Sequence, residues 1–249
     1  MTAFDSEALL GDLAVSLDID VLVGAYPDRE GPDGTPEAVR GVLGRHRNAA
    51  GAVASLRAAL FDMRSGNDEV LALPRPAFVP VGTVDLRDPV GSAAELERLA
   101  AASVRAVRLF PDEQGVEAGF PSVRHVVKRA TAFGMTILTG GDVRRFWAPC
   151  GGVGATVVFL DTHFYHLGDF LVAAADEPGF HTSTRLLNSP DALEIALHAV
   201  GAARLLFGSR APHAEPLVPL LRLATSGLTP AQAAAVAGGN AARLLGAAA

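Results

Sequence analysis

Short apolar runs alternate with helix-like segments along nearly the whole 249-residue chain, and this constrains the fold more than any other feature. Strand-like stretches fall at 17–24, 51–55, 78–84, 104–110, 135–138, 155–160, 180–187 and 204–208. Helix-like stretches fall between them at 67–73, 93–102, 122–133, 167–175 and 190–200, with others opening at Pro36 and Pro230. Strands separated by helices cannot pair as hairpins, so they align in parallel and bury both faces. Helix-start signals agree: Thr35 and Thr229 each precede a proline, and Gln232 completes a capping box with Thr229. Ser92 reads as the cap of 93–102, and 142–153 as an irregular segment. Eight strands in βα order, without a linker or a fixed-period repeat, predict an α/β fold: one (β/α)8 barrel domain over residues 1–249. A doubly wound sheet gives the same local signals and is the alternative.

At 49% hydrophobic residues the chain can fill a large core, yet no apolar run is long enough to span a membrane. Residues 1–12 carry acidic side chains where a secretory signal would have a basic region and an apolar stretch, so none is expected. A single cysteine, Cys150, excludes an internal disulfide, and the expected location is cytoplasmic. Pro149 and Gly151 flank that thiol, which reads as a loop bystander, with a reactive thiol as the alternative. The net charge of −6 argues against a nucleic-acid partner.

Near the C-terminus, Leu205-Leu206-Phe207 stops abruptly at Gly208-Ser209-Arg210-Ala211-Pro212-His213, which reads as a buried strand ending at a working loop. Gly239-Asn240-Ala241-Ala242-Arg243-Leu244-Leu245-Gly246 reads as a capped terminal helix. In shared order with FVPVGTVD at 78–85, ALFDMRSGNDEVLAL at 59–73 and TSTRLLNSPDALE at 182–194, these stretches resemble the amidohydrolase superfamily over about residues 17–246. The resemblance implies a TIM barrel with a metal site at the C-terminal ends of its strands. Its ligands would be two histidines two apart on strand one, groups on strands five and six, and an aspartate after Gly-Ser on strand eight. Here those positions hold Asp20 and Leu22, then Leu138, then Asp161 or His163, and finally Arg210. A cation cannot ligate a cation. The resemblance therefore implies the fold, a lost metal site and no cofactor, with zinc or manganese on His163, His166 and Asp161 or Asp20 as the alternative.

The remaining polar residues make several candidate groups. Asp20 and Arg210 lie on strands that become neighbours if the barrel closes, as an ion pair that either repairs the vacated site or works in it. Asp161, His163 and His166 put three polar groups within six residues at a strand end, suiting acid/base chemistry. The alternative is a capping Asp161 or Thr162 beside a surface histidine. Arg108 and Arg185, on otherwise apolar strands, need partners: Asp85, Asp112 or Asp161, or an anionic substrate. With Arg210 they form a trio suited to a carboxylate or phosphate. His213 follows Arg210 closely enough to reach the same pocket or to be a bystander. Gly151-Gly152-Val153-Gly154 reads as a flexible loop, and Phe146 and Trp147 as lid or rim packing.

Two functions fit these residues. One is a metal-independent enzyme acting on a small anionic or carbonyl substrate by hydrolysis, decarboxylation or lyase chemistry. Asp20, Asp161 and His163 would then move protons, Arg108, Arg185 and Arg210 would hold charge, and His166 and His213 would contact substrate. The other is a non-catalytic relative that binds a ligand or supports a metal-bearing homologous partner. Self-association is expected, as a homo-oligomer or as a hetero-oligomer with a related barrel protein.

Overall fold

The computed structural model describes residues 5–247, so Met1–Phe4 of the N-terminal stretch read above lie outside the described residues. Nine parallel strand segments are present: β1 (Asp18–Val23), β2 (Gly51–Ser55), β3 (Phe78–Pro80), β4 (Gly82–Thr83), β5 (Ala106–Leu109), β6 (Thr136–Thr139), β7 (Val157–Phe159), β8 (Phe180–Ser183) and β9 (Leu205–Leu206). They pair in sequence order, β1-β2-β3 and β4-β5-β6-β7-β8-β9. Only Val81 separates β3 from β4, and its N–H donates to the Val53 carbonyl at 2.9 Å, so the nine segments trace eight positions. The two ends of this series also meet. Ile19 N–H donates to Phe207 O at 3.0 Å, Leu22 N–H donates to Ala211 O at 2.9 Å, and Val21 bridges Ala211 in parallel. These bonds join the ring where a regular ladder is absent, giving the barrel rather than the open doubly wound sheet.

Two apolar layers follow from this arrangement. Inward-facing strand residues, among them Leu22, Ala54, Val81, Ala106, Leu138, Val158 and Leu206, fill the barrel's interior. A larger shell between strands and helices is built from residues such as Leu96, Val107, Val126, Ile137, Phe159 and Phe170. Among the described residues no helix is long and apolar enough to cross a membrane.

Two local expectations are corrected. The helix predicted to start behind Ser92 runs over Pro89–Ala101, because Asp88 is the cap, accepting from Gly91 N–H at 2.9 Å, and Pro89 takes the first turn. Ser92 instead donates its hydroxyl to the Asp85 carbonyl at 2.7 Å. The segment read as irregular contains the helix Val143–Cys150, capped by Asp142. Val143, Phe146 and Cys150 recur at helical spacing and are buried, which holds this short helix to the barrel despite Pro149 in its last turn.

Candidate active site

The site begins with an irregularity in β1. Asp18 pairs with Gly51 and Val21 with Val53, so three steps along β1 match two along β2. The extra residue is a bulge and breaks the two-residue alternation of the strand. Asp18 and Asp20 therefore take their partners from different places, although spacing alone would give them one face.

Asp18 is bound by neutral donors: the Ser209 hydroxyl at 2.5 Å, the Ser209 and Asp20 N–H groups at 3.0 Å each, and the Asn48 amide at 3.1 Å. Burial pushes its carboxyl up to about 7 against these hydrogen bonds. Asp20 is equally buried but sits among guanidiniums. Arg108 Nη1 donates to it at 2.5 Å, Arg210 Nε at 3.2 Å, and Arg185 Nε stands 3.7 Å away. Burial works to raise the Asp20 carboxyl, yet Arg108, Arg210 and Arg185 outweigh it and hold the group down at about 2.

A second carboxylate completes the lattice. Asp161, just beyond β7, pairs with Arg185 Nη2 and lies 2.8 Å from Arg210 Nη2. Its other oxygen accepts from Gly141 N–H at 3.0 Å. Arg210 thus forks across both carboxylates, where a single bidentate pair with Asp20 was expected. Its backbone is shaped for this: φ is +64°, and its N–H donates to the Asp20 carbonyl at 2.6 Å. The two mouth arginines titrate in opposite senses. Burial lowers both, but Asp20 and Asp161 more than restore Arg210, whereas Arg185 is further lowered by the neighbouring Arg210 charge. Arg185 Nε is buried without a hydrogen-bond acceptor, as is Arg108 Nε. Three guanidiniums face two carboxylates, so the floor carries one positive charge in excess.

Above this floor opens a cavity of about 450 Å³, lined by Arg185 and Arg210 below and by Tyr26, Arg29, Glu113 and His213 around the wall. Tyr26 and Arg29 come from the loop after β1, whose neck is closed by Gly24 N–H donating to Gly34 O at 2.8 Å. The two ends of the loop approach so closely there that a Cβ on Gly34 would stand 1.9 Å from the Gly24 oxygen, which requires glycine. His213 Nε2 lies 3.0 Å from the Gly24 carbonyl, its ring meets Tyr26 edge-on at 5.1 Å, and Arg29 stacks over Tyr26 at 3.7 Å. Burial lowers the His213 imidazole, and the nearby arginines oppose its protonation further. A neutral His213 donates from Nε2 to Gly24, which leaves Nδ1 as a free acceptor. Burial and Glu113 raise the Tyr26 phenol, against Arg210, Arg108 and Arg29.

The structure brings Asp20, Asp161, Arg108, Arg185 and Arg210 into one contact network and places His213 on its wall. It does not bring His163 and His166 in. His163 caps the turn Phe164–His166, accepting from Tyr165 N–H at 3.2 Å, and stacks on Tyr165. Its ring is 6.1 Å from that of His166. Among the described residues neither histidine hydrogen-bonds to Asp161, so the acid/base trio read from the sequence is corrected. Asp161 is instead taken by the guanidiniums of Arg185 and Arg210. Arg108 and Arg185 find their carboxylates in Asp20 and Asp161. Asp85 and Asp112, also considered as partners, pair with Arg87 and Arg145.

Sequence reading missed Tyr26, Arg29 and Glu113. The available signal for Tyr26 and Arg29 was the long Pro/Gly/Asp-rich loop after β1, and for Glu113 its place just past β5, because loops at strand C-termini form a barrel's mouth.

The metal implied by the resemblance was tested against this donor set. Asp20 and Asp161 are filled by arginines, Leu22 and Leu138 offer no donor, and Arg210 supplies a positive charge where a ligand is needed. Among the described residues no three His, Cys, Asp or Glu side chains gather as a metal-holding group. These residues do not fit a divalent cation.

Comparison with known proteins agrees with the fold. The amidohydrolase family profile matches residues 150–247, from the end of the Val143–Cys150 helix through β9 and the last helix. No curated protein matches the sequence. Among solved structures, 5-carboxyvanillate decarboxylase from Sphingomonas paucimobilis superposes with a TM-score of 0.70 at 14% identity, covering 95% of this chain and 100% of that one. The 2,6-dihydroxybenzoate decarboxylase from Rhizobium gives 0.72 at 12% identity, covering 94% and 99%. An uncharacterized TIM-barrel protein from Bordetella bronchiseptica gives 0.74 at 16% identity, covering 94% and 99%. At such identities the likeness is one of fold, and the resemblance to amidohydrolases is borne out at that level.

Proposed function

We propose that this amidohydrolase-like barrel is an enzyme of hydrolase or lyase type that binds a small carboxylate in its mouth without a resident metal. The observation that carries this reading is the charge imbalance of the floor: three guanidiniums, two carboxylates, and a buried Arg185 Nε with no acceptor. Positive charge in excess of its buried counter-ions is costly, and an incoming carboxylate supplies the missing negative charge. Decarboxylases of carboxylated aromatics share the fold, and their named substrates carry the same anionic group. The cavity's 450 Å³ suits a molecule of modest size.

Proton movement falls to the wall rather than the floor. Asp20 is shut from solvent and held ionised, so it orients Arg108 and Arg210 instead of exchanging protons with substrate. His213, with Nδ1 free and beside Tyr26 on the cavity wall, is the acid/base group this reading assigns.

Calorimetric titration with 2-oxobutanoate tests the reading. The wild type should bind one equivalent, more weakly as salt rises. Arg185→Gln makes the floor electrically neutral and should weaken binding at least tenfold, and Arg210→Ala should disturb both binding and the lattice. No binding by the wild type, or unchanged binding by Arg185→Gln, would reject it.

The non-catalytic reading has one observation in its favour: Asp20 and Asp161 are both occupied by ion pairs. On that reading the carboxylate still binds, but no turnover follows.

A further inference from the structure

We infer that the mouth catalyses proton transfer at the carbon next to a carbonyl, on small 2-oxo carboxylates, with His213 as the base and Tyr26 as the group that receives the developing oxyanion. The inference rests on the carboxylate-binding reading above and specifies the chemistry of that site.

The polar atoms of the cavity divide between floor and wall. The floor offers guanidiniums alone, from Arg185 and Arg210. The wall offers an acceptor and a donor side by side. His213 commits Nε2–H to the Gly24 carbonyl at 3.0 Å, which leaves the lone pair of Nδ1. Gly31, on the cavity lining, lies beside that nitrogen: a Cβ built there would stand 3.9 Å from Nδ1. The Tyr26 ring is in edge contact with the imidazole at 5.1 Å, and among the described residues its hydroxyl makes no protein hydrogen bond. Burial keeps the phenol protonated and the imidazole neutral, so donor and acceptor are both ready near neutral pH. Arg29 over the phenol face holds the ring in place and favours negative charge near it.

A 2-oxo carboxylate matches these three features in order. Its carboxylate meets Arg185 and Arg210, its carbonyl oxygen meets the Tyr26 hydroxyl, and its C3 hydrogens face His213. In the step, the C3–H bond breaks and His213 Nδ1 takes the proton. The released pair becomes the C2=C3 bond, and the carbonyl π pair moves to oxygen, where the Tyr26 hydroxyl hydrogen-bonds it. Return of a proton from the imidazolium to C3 reverses each shift. No oxidant, reductant or co-reactant is consumed. Proton removal beside a carbonyl is also the first event in stepwise eliminations of a group from the next carbon, a lyase reaction, which links this step to the wider reading.

The test is hydrogen–deuterium exchange at C3 of 2-oxobutanoate in D2O, followed by proton NMR beside the calorimetric titration. The wild type should exchange at least tenfold faster than buffer. His213→Gln and Tyr26→Phe should each lose at least tenfold of that rate with 2-oxobutanoate at concentrations the calorimetric titration shows to be saturating for the variant. Added imidazole should restore exchange to His213→Gln, a recovery that a merely structural role would not give. Bound 2-oxobutanoate exchanging at the buffer rate overturns the inference and leaves the carboxylate site standing. Absence of binding by the wild type rejects the site itself.

Discussion

Asp18 and Asp20 stand two residues apart on one strand and are both wholly buried, yet they titrate in opposite directions. Asp18 receives four hydrogen bonds from neutral groups, which only partly offset its burial. Asp20 has three guanidiniums, whose full charges outweigh the same burial. The charge of the partners, not depth, decides which carboxylate is ionised. The roles divide accordingly. Asp18 ties β1 to Ser209 and Asn48, and so helps to fasten the ring where its ladder is irregular. Asp20 assembles the positive floor under the cavity.

The comparison breaks most visibly if Asp20 loses its charge. Asp20→Asn keeps the shape but leaves Arg108 uncompensated at the barrel's centre, and should cost about 3–5 kcal/mol in urea unfolding. A loss below about 1 kcal/mol would mean that water reaches these guanidiniums. Asp18→Asn ranks second. Its amide turns a donor toward Ser209 or Asn48, which are donors themselves, and should cost about 1–3 kcal/mol.

Next comes the pH dependence of those two losses. Asp18 holds its proton more tightly folded, at about 7, than unfolded, at 3.8. The stability this adds is complete below about pH 4 and is lost as the pH rises to about 7. Asp20 is shifted the other way, from 3.8 to about 2, so its contribution is complete above about pH 4 and is lost as the pH falls toward 2. Between pH 4 and 8 the cost of Asp18→Asn should shrink while that of Asp20→Asn holds, and below pH 4 only the Asp20→Asn cost should shrink. Parallel unfolding curves for the two variants would contradict the division.

Much of the fold was legible because local signals agreed with one another. Apolar runs, Thr35-Pro36 and the Thr229–Gln232 capping box each marked boundaries that the structure keeps. Ser92 misled because Asp88-Pro89 upstream is the stronger start, and Val143–Cys150 was hidden by its proline and the glycines behind it. In the site, the polar residues at strand ends identified the charged lattice, since an arginine on a buried strand must find a carboxylate. Their pairing was not legible. The bulge in β1 separates Asp18 from Asp20, and Arg210 divides its fork between Asp20 and Asp161 through a backbone turn that spacing does not announce. Tyr26 and Arg29 escaped notice because their place on the wall depends on the neck at Gly24 and Gly34.

The smallest effect should come from His163. It lies one residue beyond Thr162 and two beyond Asp161, so chain position alone would put it in the site, but the lattice ends at Asp161. His163 instead holds the turn before the helix Leu167–Asp176 through its bond to Tyr165 N–H. His163→Ala should therefore cost about 0.5–1 kcal/mol, the loss of one cap, and leave carboxylate binding and C3 exchange within twofold of wild type. Because Asp161 is bound to Arg185 and Arg210, removing the imidazole leaves every contact of the floor in place. A tenfold loss of binding or exchange in this variant would show that the mouth extends past Asp161 to the aromatic turn, and that His213 shares its role with a second histidine.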